Sequence, residues 1–467
     1  MKRVLCFLLV LVLLGASLIS FTGYSLIKES DNVTFTPVDE WGDRRYLEGI
    51  TAEMDFSYHE EIFWDVEFTP FKETKTEYDY VTFYSLSRKV NPFYGISTPS
   101  LGIVQLKNDN PELNRFVDEL KAEVTRTGEK AGTQVRFCDY FEYYPVTVNI
   151  ALPGIHIGWE HGFGADEKGK YSFEGISPLR GQGVINALNE FLRIPVKESD
   201  VREITVFPNE YGNFSYQSSQ GNSFDFWFNF VRTENDIYFT FENEINAGHE
   251  NKRELVDTSH IPGGYGLYSL PYTEDDIKYE ELRTVYSIPS DATAESLSVD
   301  EARKEIYLGL HENEKFILHI IDMDTMTDKT AIELFDFTFA DFIRVSQNED
   351  FFMFIKNDGD FNVVAINEDG IYESALTGTM PPETIADRDY FSYRSEFGFD
   401  GERLAVWVIE EPGSEEIRLL SLQPDVMVFT KDGLQYYCKW LCSLGDPIGG
   451  AIRWDSVSVI DWRITFQ

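Results

Sequence analysis

The sequence predicts a mainly β protein in three parts. These are an apolar signal or anchor helix over residues 1–28, an α+β domain over 29–200, and a domain of repeated short strands over 201–467. Three observations carry this division. Val4 to Ser20 runs without a single charge behind Met1-Lys2-Arg3. Two stretches of helical periodicity lie among strands before residue 200. After Val201 the texture changes to short strands separated by turn clusters.

Composition bounds the function. With 43% hydrophobic and 26% charged residues among 467, the chain has a globular balance and is excluded from wholesale disorder. Its 37 Phe and 25 Tyr supply enough ring surface to fill cores without disulfide staples. Forty Lys+Arg against 80 Asp+Glu give a net charge of -40. Nucleic acid is thereby excluded as a partner, because phosphate binding needs clustered cations to displace counterions. An anionic membrane surface repels the chain for the same reason, leaving the N-terminal helix as the one membrane contact.

The N-terminal run is open to two readings. As a secretory signal, its apolar region ends near Leu14 and cleavage follows Gly15-Ala16-Ser17. As an uncleaved anchor, Val4 to Ile27 exceeds the ~20 residues that span a bilayer. Both keep Lys2 and Arg3 inside and place the remainder outside the cytoplasm, either tethered to the cell membrane or secreted. Cys6 lies at the start of the apolar run, so a lipoprotein signal, whose Cys follows it, does not fit. Cys138, Cys438 and Cys442 remain, an odd set that makes no disulfide framework. In an extended strand Cys438 and Cys442 stand roughly 13 Å apart, too far to bridge without a turn. The reading is three isolated thiols.

In the α+β part, Tyr80 to Tyr84 and Val146 to Ile150 read as strands, being rich in β-branched and aromatic residues. The strongest helix starts at Asn110-Pro111 and carries Leu113, Phe116, Val117, Leu120 and Val124 as one stripe. A second spans Val184 to Leu192. Further on, Phe224 to Phe230 alternates strictly and pairs as a hairpin with Ile237 to Phe241.

Three segments then repeat one pattern: short strand, polar turn, apolar strand, turn, apolar strand. They are Leu297–Asp300, Lys304–Leu308 and Phe316–Asp322; Ile343–Ser346, Phe351–Ile355 and Phe361–Ile366; and Phe397–Asp400, Leu404–Val408 and Ile417–Leu422. Aligning Ile306, Phe352 and Leu404 gives separations of about 46 and 52 residues, near the ~40–50-residue period of a four-stranded blade. One such sheet cannot hide both faces alone, so blades stack. Ser298-Val299-Asp300 before a strand and Ile321-Asp322 at the end of another resemble generic β-propeller repeats, a likeness covering about residues 297 to 422. The resemblance implies a β-propeller for 201–467, five or six blades at this period. Ser456 to Ile460 is then a terminal strand of the kind that closes such a ring on its first one.

No catalytic, cofactor-binding or metal-binding residue is assigned. His156-Ile157-Gly158-Trp159-Glu160-His161 has one residue too many for an inverted zincin motif, and glycines flank it. Asp358-Gly359-Asp360-Phe361-Asn362 with Asp369 spaces its oxygens like a calcium loop, but position 6 is Val363 where glycine is required. Asn357 to Asp360 therefore reads as a hairpin turn, Asn367 to Gly370 as the next, and Asp322-Met323-Asp324 as the turn after a blade strand. Glu410-Glu411 and Glu415-Glu416 offer carboxylate pairs of the sort glycosidases use, in a chain where such pairs arise by chance. Asn32-Val33-Thr34 and Asn213-Phe214-Ser215 are glycosylation sequons. The expectation is an exported, non-catalytic binding module, with a protein, peptide or glycan as partner. An extracellular carbohydrate-active hydrolase using paired carboxylates is the alternative.

Overall fold

The computed structural model describes residues 33–58, 62–72, 74–80, 100–106, 111–144, 146–152, 154–160, 170–199, 201–208, 214–218, 226–241, 256–338, 341, 343–348, 350–381, 395–410, 423–443 and 457–466. Strands dominate, in small antiparallel sheets, and the contacts divide the chain into two units. One unit holds residues 1–92 and 342–467, the other 93–341. The sequence boundary placed at residue 200 falls inside the second unit. The difference arises because strands near the N-terminus pair with strands near the C-terminus, a contact that linear composition does not record.

In the first unit, Ser395–Phe399, Leu404–Glu410, Gln423–Thr430 and Gly433–Ser443 form a meander, and Thr34–Gly42 adds a fifth strand beside Gly433–Ser443. A second sheet joins the terminal strand Val457–Phe466 to Ile50–Tyr58, Ile62–Phe68 and Lys75–Tyr80. The third is the meander Ile343–Gln347, Phe351–Lys356, Asp360–Ile366 and Tyr372–Thr379. In the five-stranded sheet, Leu404–Glu410 and Gln423–Thr430 are buried on both faces. Ala405, Trp407, Val426, Val428, Cys438 and Trp440 enter one core with the N-terminal strands, whereas Leu404, Val406, Met427 and Phe429 enter another with Phe351, Met353 and Val363. Double burial explains why these strands read as nearly continuous apolar runs. Each fully buried large side chain contributes about 1.5–3 kcal/mol.

The terminal strand expected at Ser456 to Ile460 begins at Val457 and pairs with Ile50–Tyr58 along its length. Arg403 ties the same region together. Its Nη1 donates to the carbonyls of Tyr46 and Glu48, each at 2.9 Å, its Nε donates to Asp400 Oδ2 at 2.8 Å, and its guanidinium lies over Phe466. Cys438 and Cys442 occupy one extended strand as buried free thiols, and Cys138 is a half-buried free thiol. Burial pushes the Cys438 thiol up to about 11, and raises Cys442 further.

In the second unit a nine-stranded sheet carries, in spatial order, Asp276–Ile277, Gly266–Thr273, Asp236–Phe241, Phe226–Arg232, Ser100–Leu106, Val146–Leu152, Ile155–Glu160 and Lys170–Glu174, with Arg283–Ser287 also paired to Gly266–Thr273. Helix α1 (Pro111–Thr127) packs on the three-stranded sheet of Ala131–Arg136, Val201–Pro208 and Phe214–Ser218. Its stripe residues Leu120 and Val124 are buried, and Phe116 and Val117 are half-buried. The N-cap expected at Asn110 lies outside the described residues. Helix α2 (Pro178–Phe191) begins two turns before the expected Val184, because Ser177 caps it and Pro178 opens it. The expected hairpin is present as Phe226–Arg232 with Asp236–Phe241. The first repeat is a full meander: Thr293–Asp300, Glu305–Glu312, Lys315–Asp322 and Thr327–Asp336.

Several expectations fall outside the described residues: the signal or anchor at 1–28, Val81 to Tyr84, Ile417 to Leu422, and the sequons at Asn32 and Asn213. Among the described residues no helix is long and apolar enough to cross a membrane.

Candidate functional site

A groove of about 290 Å³ opens in the second unit, lined by Ala187, Glu190 and Phe191 of α2, His260, Ile261 and Pro262 of a turn, and Tyr279, Leu282 and Arg283. That volume lies at the lower end of small-ligand sites. Three elements form it, and each is held by identifiable bonds.

The first is α2. Val184, Ile185 and Leu188 enter the core and so rotate Ala187, Glu190 and Phe191 toward the groove. Phe191 meets the Tyr268 ring edge-on, with centroids 4.8 Å apart, which fixes the groove's inner wall. The second is the turn around residue 260. The backbone N–H of Asp257 donates to the Arg193 carbonyl at 2.7 Å, and Ile261 N donates to the Thr258 carbonyl at 3.1 Å. His260 Nε2 lies 2.9 Å from the Glu190 carbonyl and donates to it, satisfying one of the last carbonyls of α2. His260 Nδ1 is buried without a hydrogen-bond partner. Asp257 is held below the usual carboxylate range by the Ser259 hydroxyl and N–H, with His260 and Arg193 adding to the effect.

The third element is the 3-10 turn Tyr279–Glu281. Arg180 of α2 pins it. Nε and Nη2 donate to the two oxygens of Asp276 at 2.9 and 3.0 Å, Nη2 also to the Ile277 carbonyl at 3.2 Å, and Nη1 to Glu280 Oε1 at 2.6 Å. The guanidinium lies 4.6 Å above the Tyr279 ring. Glu280 and then Asp276 raise the Arg180 pKa, and Arg180 lowers that of Glu280. Tyr279 approaches α2 this closely only because residue 183 is glycine: a Cβ there would stand 2.4 Å from the Tyr279 hydroxyl oxygen.

Charge in the groove is nearly cancelled. Glu190 is ion-paired with Arg193. Arg283 is exposed, and among the described residues its guanidinium makes one hydrogen bond, Nη1 to the Glu281 carbonyl at 3.4 Å. One apolar trough with one unneutralised cation results.

Two polar clusters lie elsewhere in the unit. The buried carboxylate of Glu305 accepts from the Tyr307 hydroxyl at 2.8 Å and from Lys329 Nζ at 3.0 Å. The Tyr286 hydroxyl donates to Asp328 at 3.0 Å and lies 3.3 Å from His319 Nδ1, while His319 Nε2 stands 3.6 Å from Glu312. Burial and then the Asp328 charge raise the Tyr286 pKa. Glu305 and Tyr307 share the strand Glu305–Glu312, whereas Lys329, and the members of the Tyr286 cluster, come from different strands, so no local motif announces either set.

The sequence candidates resolve as follows. His156 is half-buried on strand Ile155–Glu160, its Nε2 so close to Gly158 that a Cβ there would lie 2.7 Å away. His161 and the side chains of Trp159 and Glu160 lie outside the described residues. Among the described residues no group of three or more His, Cys, Asp or Glu is placed to hold a metal. Asp358 sits in a hairpin turn, where Gly359 N donates to the Lys356 carbonyl and Lys356 Nζ reaches Asp358 Oδ2 at 2.7 Å. Val363 is wholly buried, as a strand residue should be. Asp322 likewise caps its own turn, accepting from Asp324 N and Thr325 N. The side chains of Glu410, Glu411, Glu415 and Glu416 lie outside the described residues.

The residues lining the groove span Ala187 to Arg283, and sequence reading did not find them. A signal was present: Gly181 and Gly183 inside a helix mark places where another group packs against the backbone.

No family model and no curated protein matches the chain. Among solved structures, a putative 6-phosphogluconolactonase from Bacteroides uniformis is 9% identical, covering 90% of this chain and 100% of that one, with a TM-score of 0.29. The WD40 domain of SCAP from fission yeast is 10% identical, covering 90% and 92%, with a TM-score of 0.27. The N-terminal domain of Nup159 is 12% identical and matches 53% of this chain and 59% of that one, with a TM-score of 0.24. Superpositions this loose assign neither a fold nor a function.

Proposed function

We propose that the chain is an exported or membrane-tethered binding module, without catalysis of its own, and that the groove beside α2 is where it holds its ligand. The groove carries this reading: an apolar trough with one charged corner, its walls fixed by Arg180, His260 and Phe191, is the form of a preorganised site. Export rests on the uncharged run from Val4 to Ser20 behind Lys2 and Arg3. The four-stranded meanders are read as blades of a β-propeller, supported by their period and by the double burial of Leu404–Glu410 and Gln423–Thr430. The partner is a protein, a peptide or a glycan, or a small molecule of the groove's size.

Paired-carboxylate hydrolysis finds no support here, since the groove is lined by one carboxylate, Glu190, and that one is ion-paired with Arg193. Native mass spectrometry tests the proposal. The full chain, incubated with envelope extract, is expected to retain a molecule of unchanged mass, and Ala187→Trp, which fills the groove, is expected to lose it. Conversion of the bound molecule to a product, or equal retention by both proteins, contradicts the reading.

A further inference from the structure

We infer that the groove is selective for a small apolar carboxylate, with Arg283 as its ion-pair partner. This rests on the groove being the binding site and adds the chemical class of what it binds.

The walls set the body of the ligand. Ala187, Phe191, Ile261, Pro262 and Leu282 present carbon, which favours an aromatic or medium-length aliphatic group. Electrostatics set its head. The chain holds twice as many acids as bases, so a cation without an acidic partner beside an apolar trough is unusual in it. Glu190 is neutralised by Arg193, and Arg180 is engaged by Asp276 and Glu280. Arg283 alone among the groove's charged groups keeps free donors, its one hydrogen bond among the described residues being the 3.4 Å contact to the Glu281 carbonyl. An ammonium ligand meets repulsion there. A carboxylate meets a planar fork that binds it in a bidentate manner. A phosphate needs more donors than one guanidinium and these carbon walls provide.

The expected ligand is therefore an aromatic or medium-length aliphatic acid.

The test is calorimetric titration of the full chain with 3-(4-hydroxyphenyl)propionate and with its primary amide, which share a body and differ in charge. Wild-type protein is expected to bind the acid about tenfold tighter than the amide. Arg283→Gln is expected to abolish that preference while binding the amide as wild type does, and Arg283→Lys, which keeps the charge but loses the fork, to retain part of it. Ala187→Trp is expected to lose both probes, with thermal unfolding showing that the variant remains folded; Pro262→Trp, filling the groove from the turn around residue 260, serves if it does not. Equal affinity for acid and amide in wild type, or a preference that survives Arg283→Gln, overturns the carboxylate inference and leaves the groove as the site. Failure of wild type to bind either probe counts against the groove itself.

Discussion

Replacing Gly183 with alanine sets helix propensity against packing at the groove wall. A Cβ at this position would stand 2.4 Å from the Tyr279 hydroxyl oxygen, 2.6 Å from Cζ and 2.8 Å from Cε1. Carbon contacts relax near 3.5 Å, so the ring must withdraw by about 1 Å. It is not free to do so, because the Arg180 guanidinium covers it at 4.6 Å and is itself held by Asp276 and Glu280. Overpacking of this kind costs about 1–3 kcal/mol. Alanine returns about 1 kcal/mol, since glycine is a poor helix former. The net expectation is a loss of about 0–2 kcal/mol in urea unfolding at constant m-value. Probe affinity falls about fivefold or more because Tyr279 lines the groove. Gln182→Ala is the control, since its amide donates only to Asn186 on the exposed side of the same helix. A Gly183→Ala protein about 1 kcal/mol more stable than wild type, with unchanged probe affinity, refutes the reasoning: Tyr279 would then not be packed on α2.

Other sites make separate demands. Ile464 is 4% exposed on the terminal strand and lies against Gly398, so Ile464→Ala is expected to cost about 2–4 kcal/mol of unfolding free energy, and a change under about 0.5 kcal/mol would show that this strand is not packed as described. Alkylation of native protein at pH 8 is expected to modify Cys138 while sparing Cys438 and Cys442, which are buried and have raised pKa values; peptide mapping after unfolding should show the latter two labelled. Burial lowers the His311 pKa, so below about pH 6.5 the unfolded chain takes up a proton that the folded one refuses, and stability falls as the pH drops from there. His311→Gln should flatten that decline, and an equal decline in both proteins, followed by urea midpoint against pH, would exclude His311 as its source.

Much of the strand architecture was legible because burial leaves a period in the sequence. Phe351 to Ile355 and Leu404 to Ile409 are unbroken apolar runs, since these strands are buried on both faces, and the turns between strands carry Asp-Gly or Asn-x-x-Gly signals. Helix α1 was visible through its stripe, and α2 only in its second half, where Val184 and Leu188 enter the core. The start of α2 was missed although Ser177-Pro178 is a cap and an opening residue, because no apolar stripe follows at once. Division into units was not legible. Thr34–Gly42 and Ile50–Tyr58 find partners some four hundred residues on, and nothing in their own residues specifies Gly433–Ser443 or Val457–Phe466. The groove was invisible for the same reason. Arg180, His260 and Arg283 each read as an ordinary surface residue until the fold places them around one trough.

The central claim is that this trough is where the protein binds. Hydrogen exchange of the full chain, followed by mass spectrometry with and without 3-(4-hydroxyphenyl)propionate, tests it most directly. Protection is expected in the peptides that carry residues 187–191, 260–262 and 279–283, and not in the strands of the unit formed by 1–92 and 342–467. Protection confined to that other unit, or no change anywhere at saturating probe, would contradict the account.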